Sequence, residues 1–201
     1  MPICFKESTD TYQIYVWKCD ESLDELKKIR VLEPKIVSRL DDFKSESRKM
    51  QFLATRILLD LALGKHEIKY EGDGKPYLSK DGRHISITHD NEYAGIMVSQ
   101  FACGIDIQEV SDKLKKVSHK FLNANDFNGK YEELEVLTKI WAAKESLYKV
   151  NGDPMVFFKE HMIVEQKNDN LLTGSIIHNK YGGDYQMKIH KLEKYYLVYT
   201  I

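Results

Sequence analysis

The chain is poor in cysteine, has no excess of charge of either sign and contains no long apolar run, and each shortage removes a class of explanation. Only three cysteines occur among 201 residues, Cys4, Cys19 and Cys103, odd in number and widely spaced. That excludes a disulfide framework and a Cys-x-x-Cys zinc site, so they read as reduced thiols in or near the core. With 30 Lys and Arg against 31 Asp and Glu the net charge is -1. No global basic field attracts nucleic acid, and an anion site must be a local cluster. No stretch approaches the roughly 18 apolar residues of a membrane span, and the start MPICFKESTD lacks the charged, then apolar pattern of an export signal. A cytoplasmic protein is the expectation. There is no Walker loop, Gly-x-Gly-x-x-Gly or Gly-x-Ser-x-Gly, and no His-x-x-x-His pair among the seven histidines. P-loop transfer, dinucleotide binding and hydrolase triads lose their main support.

What is present is the composition of a folded protein, 42% hydrophobic and 11% aromatic, long enough for one large domain or two fused small ones. The alternation YQIYVW at 12–17 predicts a strand, and ESLDELKKI switches to helical spacing through Leu23, Leu26 and Ile29. The strongest helix is predicted over 41–63, where Met50, Leu53, Ile57 and Leu61, with Ala54 and Leu58, make an apolar stripe before a stop at Gly64. After a turn-rich EGDGKPYL come three strand-like runs, HISITH, YAGIMVS and FACGIDI, read as an antiparallel meander. The second half repeats the plan: a basic helical segment at 111–121, a long helix at 131–150, and strands near 161–164, 171–177, 185–190 and 195–201. Strands and helices grouped in this way predict an α+β fold. The expectation is two similar lobes related by a pseudo-twofold, 1–103 and 104–201, each a small antiparallel sheet packed with a long helix. No Pro/Gly/Ser tract separates them, and a ligand cleft is expected between them.

Several residues carry potential chemistry. In GIDIQEV, Asp106 ends an apolar strand, and alternation puts Gln108 on its face and Glu109 on the other. A lone strand-end Asp also serves as a helix cap. In the long helix Leu134, Leu137, Trp141, Glu145 and Tyr148 share a stripe, so a carboxylate holds a place an amphipathic helix fills with an apolar residue. An ordinary Glu145–Lys149 ion pair on a solvated face is the other reading. Two acids and an amide oxygen suit magnesium, a hard cation that takes oxygen ligands. Phosphate needs cations, and Lys75 on a Gly-bracketed turn, Arg48 and Arg56 on the earlier helix, and His89 after HISIT could supply them. Each also has a plain role as a surface charge or a buried neutral ring.

Taken in order, four motifs resemble the 4'-phosphopantetheinyl transferases of the surfactin-synthetase-activator type. GKPY at 74–77 resembles the family's Gly-Lys-Pro loop, ISITHD at 85–90 its Phe-Asn-x-Ser-His-Ser strand end, and GIDI at 104–107 its Gly-Ile-Asp motif. WAAKESLYK at 141–149 resembles its Trp-x-x-Lys-Glu-Ser/Ala-x-x-Lys helix, the most specific of the four. The resemblance implies transfer of the phosphopantetheine arm of coenzyme A to a serine of an acyl, peptidyl or aryl carrier protein, with release of 3',5'-ADP. By the same resemblance Asp106, Gln108 and Glu145 hold magnesium, and Arg48, Arg56, Lys75, Thr88 and His89 contact coenzyme A. Lys149 lies near the pyrophosphate, and Glu145, or else Lys149, accepts the serine proton. Acidic carrier proteins are expected to dock on the basic segment 111–121, and a monomer suffices. Two positions depart from the pattern: Gln108 stands where the family commonly has Glu, and Asp90 where it often has Ser. The alternative is a degenerate module that binds coenzyme A or a carrier protein without chemistry, favoured by Gln108.

Overall fold

In the computed structural model the described residues are 3–72, 74–79, 81–180 and 182–201, and the chain divides into two compact units, Met1–Phe101 and Ala102–Ile201. Asp73, inside the turn of GDGKPY, lies outside the described residues.

The amino-terminal unit runs β1 (Ile3–Ser8), β2 (Tyr12–Lys18), α1 (Leu23–Ile29), α2 (Pro34–Asp41), α3 (Glu46–Leu63), β3 (Ile68–Tyr70), β4 (Pro76–Leu78), β5 (His84–Asp90) and β6 (Tyr93–Ser99). β1-β2-β6-β5 form an antiparallel sheet, and β3 and β4 pair as a separate ribbon. β6 is central and buried along its whole length. Across β2 and β6 lies α3, which buries Leu53, Ala54, Ile57 and Leu58 and stops at Gly64 in a positive-φ conformation. The stripe ends earlier than its spacing predicts: Leu61 is 42% exposed, while Leu59, clustered with Leu26 of α1, is buried. The β5–β6 hairpin turns at Asn91 (φ 43°), whose carbonyl accepts Gln51 Nε2 at 2.6 Å and Ser47 Oγ at 3.2 Å. The first turns of α3 are thereby fixed against the hairpin.

The expected three-run meander is corrected. HISITH and YAGIMVS pair, but the run through 105–109 belongs to the other unit, where it pairs with the last strand of the chain. Alternating polarity marks a strand without naming its partner. Here the partner is set by Gly104 and Thr200, which exchange a backbone N–H to carbonyl bond of 3.0 Å and a Gly104 N–H to Thr200 hydroxyl bond of 3.0 Å.

The carboxy-terminal unit comprises β7 (Ile105–Glu109), α4 (Lys113–Phe121), a 3-10 turn (Asp126–Gly129), α5 (Leu134–Asn151), α6 (Phe158–His161), β8 (Met162–Asn168), β9 (Leu171–Ile176), β10 (Gly183–Leu192) and β11 (Tyr195–Thr200). Its antiparallel sheet has the order β7-β11-β10-β9-β8, with α5 packed on it. Two contacts set how closely α5 lies. A Cβ on Gly104 would sit 1.9 Å from the Ser146 carbonyl oxygen, so only glycine admits the helix here. Ser146 Oγ then donates within hydrogen-bond range of both the Ala142 and the Val198 carbonyls, 2.9 Å each.

A second anchor is ionic. Lys144 has no exposed surface, and its ammonium meets Asp126 Oδ2 at 2.7 Å and the carbonyls of Phe121 and Phe158 at 2.8 and 3.0 Å. Asp126, also fully buried, accepts the backbone N–H of Asn123 at 2.7 Å and of Val164 at 2.9 Å. Removing one partner of such a pair leaves an unmatched interior charge. Lys144→Met is therefore expected to cost about 3–5 kcal/mol in urea unfolding. A double-mutant cycle with Asp126→Asn should give a coupling above roughly 1 kcal/mol. Additive losses would show that the pair is not a unit.

Candidate functional site

The close approach of α5 to β7 places side chains from both motifs together. Lys149 Nζ donates to Asp106 Oδ1 at 2.7 Å and to the Ile105 carbonyl at 2.8 Å. Glu145, one helical turn before Lys149, lies within the field of both. Burial, then the Asp106 charge, push its carboxyl up to about 7, against a smaller downward pull from Lys149. The predicted stripe of α5 is displaced. The fully buried face runs through Leu137, Ile140, Ala143, Lys144 and Leu147, whereas Trp141, Glu145 and Tyr148 lie at its half-buried margin. A carboxylate at that margin is reachable from solvent.

Asp106 is 7% exposed and pairs in register with Val198 of β11; Gln108, two residues on, pairs with Tyr196. The Gln108 amide nitrogen lies 3.3 Å from the Glu109 carbonyl. Glu109 is held by Lys194 Nζ at 2.5 Å, an interaction separate from the Asp106–Lys149 pair. Among the described residues no group of three or more His, Cys, Asp or Glu is placed to hold a metal ion. The oxygen donors present are therefore the two carboxylates and the Gln108 amide, an all-oxygen set that fits a hard divalent cation retaining several waters. Burial and the Asp106 charge, which together raise the Glu145 carboxyl, are both costs that such a cation would offset.

The amino-terminal residues are described within their own unit. Arg56, 6% exposed, lays its guanidinium 3.5 Å from the centre of the Phe52 ring. It donates to the Phe52 carbonyl, to Thr55 Oγ1 and to the Tyr70 hydroxyl at 3.2, 2.9 and 2.9 Å. It lines a cavity of about 380 Å³ with Arg30, Arg39, Lys65 and Tyr70. Its cations come from separate places in the chain, Arg30 after α1, Arg39 on α2, Arg56 on α3 and Lys65 before β3, so no single motif marks the wall, which Glu33 and Glu67 also line. Arg48 donates to Gln51 Oε1 at 3.0 Å and, like Arg56, is pushed below the ordinary arginine range by burial. Lys75 sits on the β3–β4 turn, its carbonyl accepting the Glu71 N–H at 2.9 Å beside Gly74 at φ 91°. Thr88 and His89 occupy opposite faces of β5: Thr88 is buried over Gly95, and His89 is exposed.

Within this unit β7, through its second residue Asp106, and α5, through Glu145 and Lys149, bring two carboxylates and a lysine into one another's field. The comparisons with known proteins are narrower. The sequence model of the 4'-phosphopantetheinyl transferase superfamily matches residues 102–200, nearly the whole carboxy-terminal unit. The chain is 28% identical over 87 residues to the 4'-phosphopantetheinyl transferase gsp of Aneurinibacillus migulanus, covering 41% of this chain and 36% of that protein. It is 32% identical over 94 residues to the holo-[acyl-carrier-protein] synthase of Staphylococcus carnosus (strain TM300), covering 38% of this chain and 80% of that one. The chain thus spans about a third of the first relative and four fifths of the second. It belongs to the 4'-phosphopantetheinyl transferase superfamily.

The raised Glu145 carboxyl gives a prediction for the metal-free protein. The folded state keeps that proton up to about pH 7, whereas the unfolded chain releases it near 4.5. Stability from the neutral carboxyl is complete below pH 4.5 and is lost as the pH rises through 7. In chelated buffer at pH 8, Glu145→Gln should be more stable than the parent by about 1–3 kcal/mol, and nearly equal to it at pH 4. Equal urea midpoints at pH 8 would contradict the repulsion described.

Proposed function

We propose that the chain transfers the 4'-phosphopantetheine arm of coenzyme A to a serine of an apo acyl, peptidyl or aryl carrier protein in a magnesium-dependent reaction. The observation that carries this reading is the meeting of Asp106, Glu145 and Lys149 across the β7–α5 contact. The carrier serine oxygen attacks the phosphorus bearing pantetheine. The bond from that phosphorus to the bridging oxygen breaks, and 3',5'-ADP leaves with the electron pair. Negative charge gathers on the pyrophosphate, and bound magnesium would stabilise it there. Asp106 and Glu145, with Gln108 beside them, are the residues that would hold the cation. Lys149 Nζ is already engaged by two acceptors, Asp106 and the Ile105 carbonyl. With those contacts made, the serine proton is assigned to Glu145. Arg48, Arg56, Lys75, Thr88 and His89 are the proposed contacts of coenzyme A, and the Arg56 cavity supports this by concentrating cations.

Incubation with coenzyme A, Mg²⁺ and a panel of apo carrier proteins, followed by intact mass, tests the reading. One phosphopantetheine added to a serine is the expected result. Asp106→Asn should lower kcat by about a hundredfold or more with the melting temperature nearly unchanged. Normal turnover in that variant at low Mg²⁺ would remove Asp106 from the site.

A second reading, a module that binds coenzyme A or a carrier protein without chemistry, is favoured by Gln108 alone, a neutral amide beside Asp106. If Gln108 stands in for a carboxylate, the free protein should bind Mg²⁺ weakly, and Gln108→Glu should tighten binding about tenfold by calorimetry. Tight Mg²⁺ binding that the substitution leaves unaltered would place Gln108 outside the site.

A further inference from the structure

Among the described residues of the carboxy-terminal unit, most of the exposed large apolar side chains lie together on neighbouring segments. Among the described residues its exposed large apolar side chains are Met155, Phe157, Ile177 and Ile201, and the first three gather where α5 passes to α6 and β9 ends. The Phe157 ring stacks on His161 with centroids 5.7 Å apart, and His161 meets the edge of His178 at 4.8 Å. The Ile177 N–H donates to the His161 carbonyl at 2.6 Å, which locks the two segments together. Met155, 60% exposed, is held beside them by its N–H on Asp153 Oδ1 at 2.8 Å. The result is a rigid ring ladder with half-exposed aromatic flanks. Contiguous exposed apolar groups of this kind mark contact sites.

The polar groups around the ladder are mostly donors. His161 Nδ1 accepts the Phe157 N–H at 2.9 Å, and His178 Nδ1 accepts the Lys180 N–H at 3.4 Å. Lys159 and Lys180 are exposed on the same segments, which also carry the acids Asp153 and Glu160. Lys159 Nζ donates to the His119 carbonyl at 3.1 Å, which joins the ladder to α4. α4 itself carries Lys113, Lys115, Lys116, His119 and Lys120, and the one acid at its end is the N-cap Asp112, 3.4 Å from Lys115 Nζ. α4 and α6 are also tied to the same buried ammonium, since Lys144 bonds the carbonyls of Phe121 in α4 and Phe158 in α6. An apolar centre with a basic rim fits a partner whose apolar face is ringed by carboxylates.

We propose that Phe157, His161, Ile177 and His178, with Met155, form the apolar centre of the face on which the acidic carrier protein docks, and that α4 supplies its basic rim. This rests on the transfer reading above. The rim guides encounter, whereas the ladder holds the docked partner, and the two respond differently to salt.

Calorimetric titration of the full chain with the apo carrier it modifies, at about 0.05 M and about 0.5 M NaCl, separates them. Phe157→Ser with Ile177→Ser should weaken carrier binding at least about tenfold at both salt concentrations. Lys115→Glu with Lys116→Glu should weaken it strongly at low salt and much less at high salt. Coenzyme A affinity and the circular dichroism spectrum should match the parent in both variants, and Ile177→Ser alone should lose part of the affinity. A parent that modifies its carrier while the Phe157/Ile177 variant binds it unchanged would overturn the docking proposal and leave the transfer reading intact. A parent that neither binds nor modifies any carrier would overturn both. A parent that sediments as a dimer through this patch, with the variant monomeric and carrier binding unaltered, would assign the ladder to a second copy of the chain.

Discussion

An ammonium group enclosed by protein must be matched on every side, and Lys144 is matched by one carboxylate and two carbonyls that belong to segments far apart in the chain. The carboxylate is itself matched by two backbone N–H groups, one of them from β8. Neither charge is tolerable without the other. The pair therefore ties the end of α4, the 3-10 turn, α6 and β8 to the middle of α5. Glu145 is the next residue along that helix, so the position of its carboxylate is inherited from a contact one residue away that takes no part in chemistry.

The second constraint is spatial. At Gly104 the chain has no room for a side-chain carbon, and the Ser146 backbone occupies that room. The shift from Ser146 to Lys149 along α5 and from Gly104 to Asp106 along β7 then carries the two motifs into register, and the Lys149–Asp106 bond closes the arrangement. Van der Waals exclusion at one end and an ion pair at the other fix the angle at which the helix crosses the strand. The raised Glu145 carboxyl follows from burial at this contact, with the nearby Asp106 charge adding to it and Lys149 pulling the other way.

The sequence made the α+β class readable because the long helices carry 3.6-residue periodicity and the strands carry alternation. It also made Asp106, Glu145 and Lys149 readable, since each sits at a fixed offset within a motif. Other features were not legible for identifiable reasons. β1 is an edge strand with exposed polar residues at alternate positions, so ICFKES lacks a strong signal. α2, the 3-10 turn and α6 are short and lack side-chain caps, and the last two are held by tertiary contacts to Lys144 and Val164 that periodicity does not register. The partner of β7 lies some ninety residues downstream, and alternation gives no partner. Lys144 and Asp126 read as ordinary charges on solvated segments, since burial of a charge depends on a match that only the folded chain supplies.

The two motifs in the carboxy-terminal unit thus mix residues of different kinds. Gly104, Lys144 and Ser146 serve closure of the scaffold, whereas Asp106, Glu145 and Lys149 meet at the margin of the β7–α5 contact. Damage to this protein accordingly falls into two separable kinds. A lesion in the first set is a folding defect, visible in yield, protease sensitivity and unfolding curves, and it takes the chemistry down with it. A lesion in the second set leaves a well-folded chain that still presents the α4 and Phe157 surfaces, and such a chain would act as a competitor for whatever partner those surfaces receive.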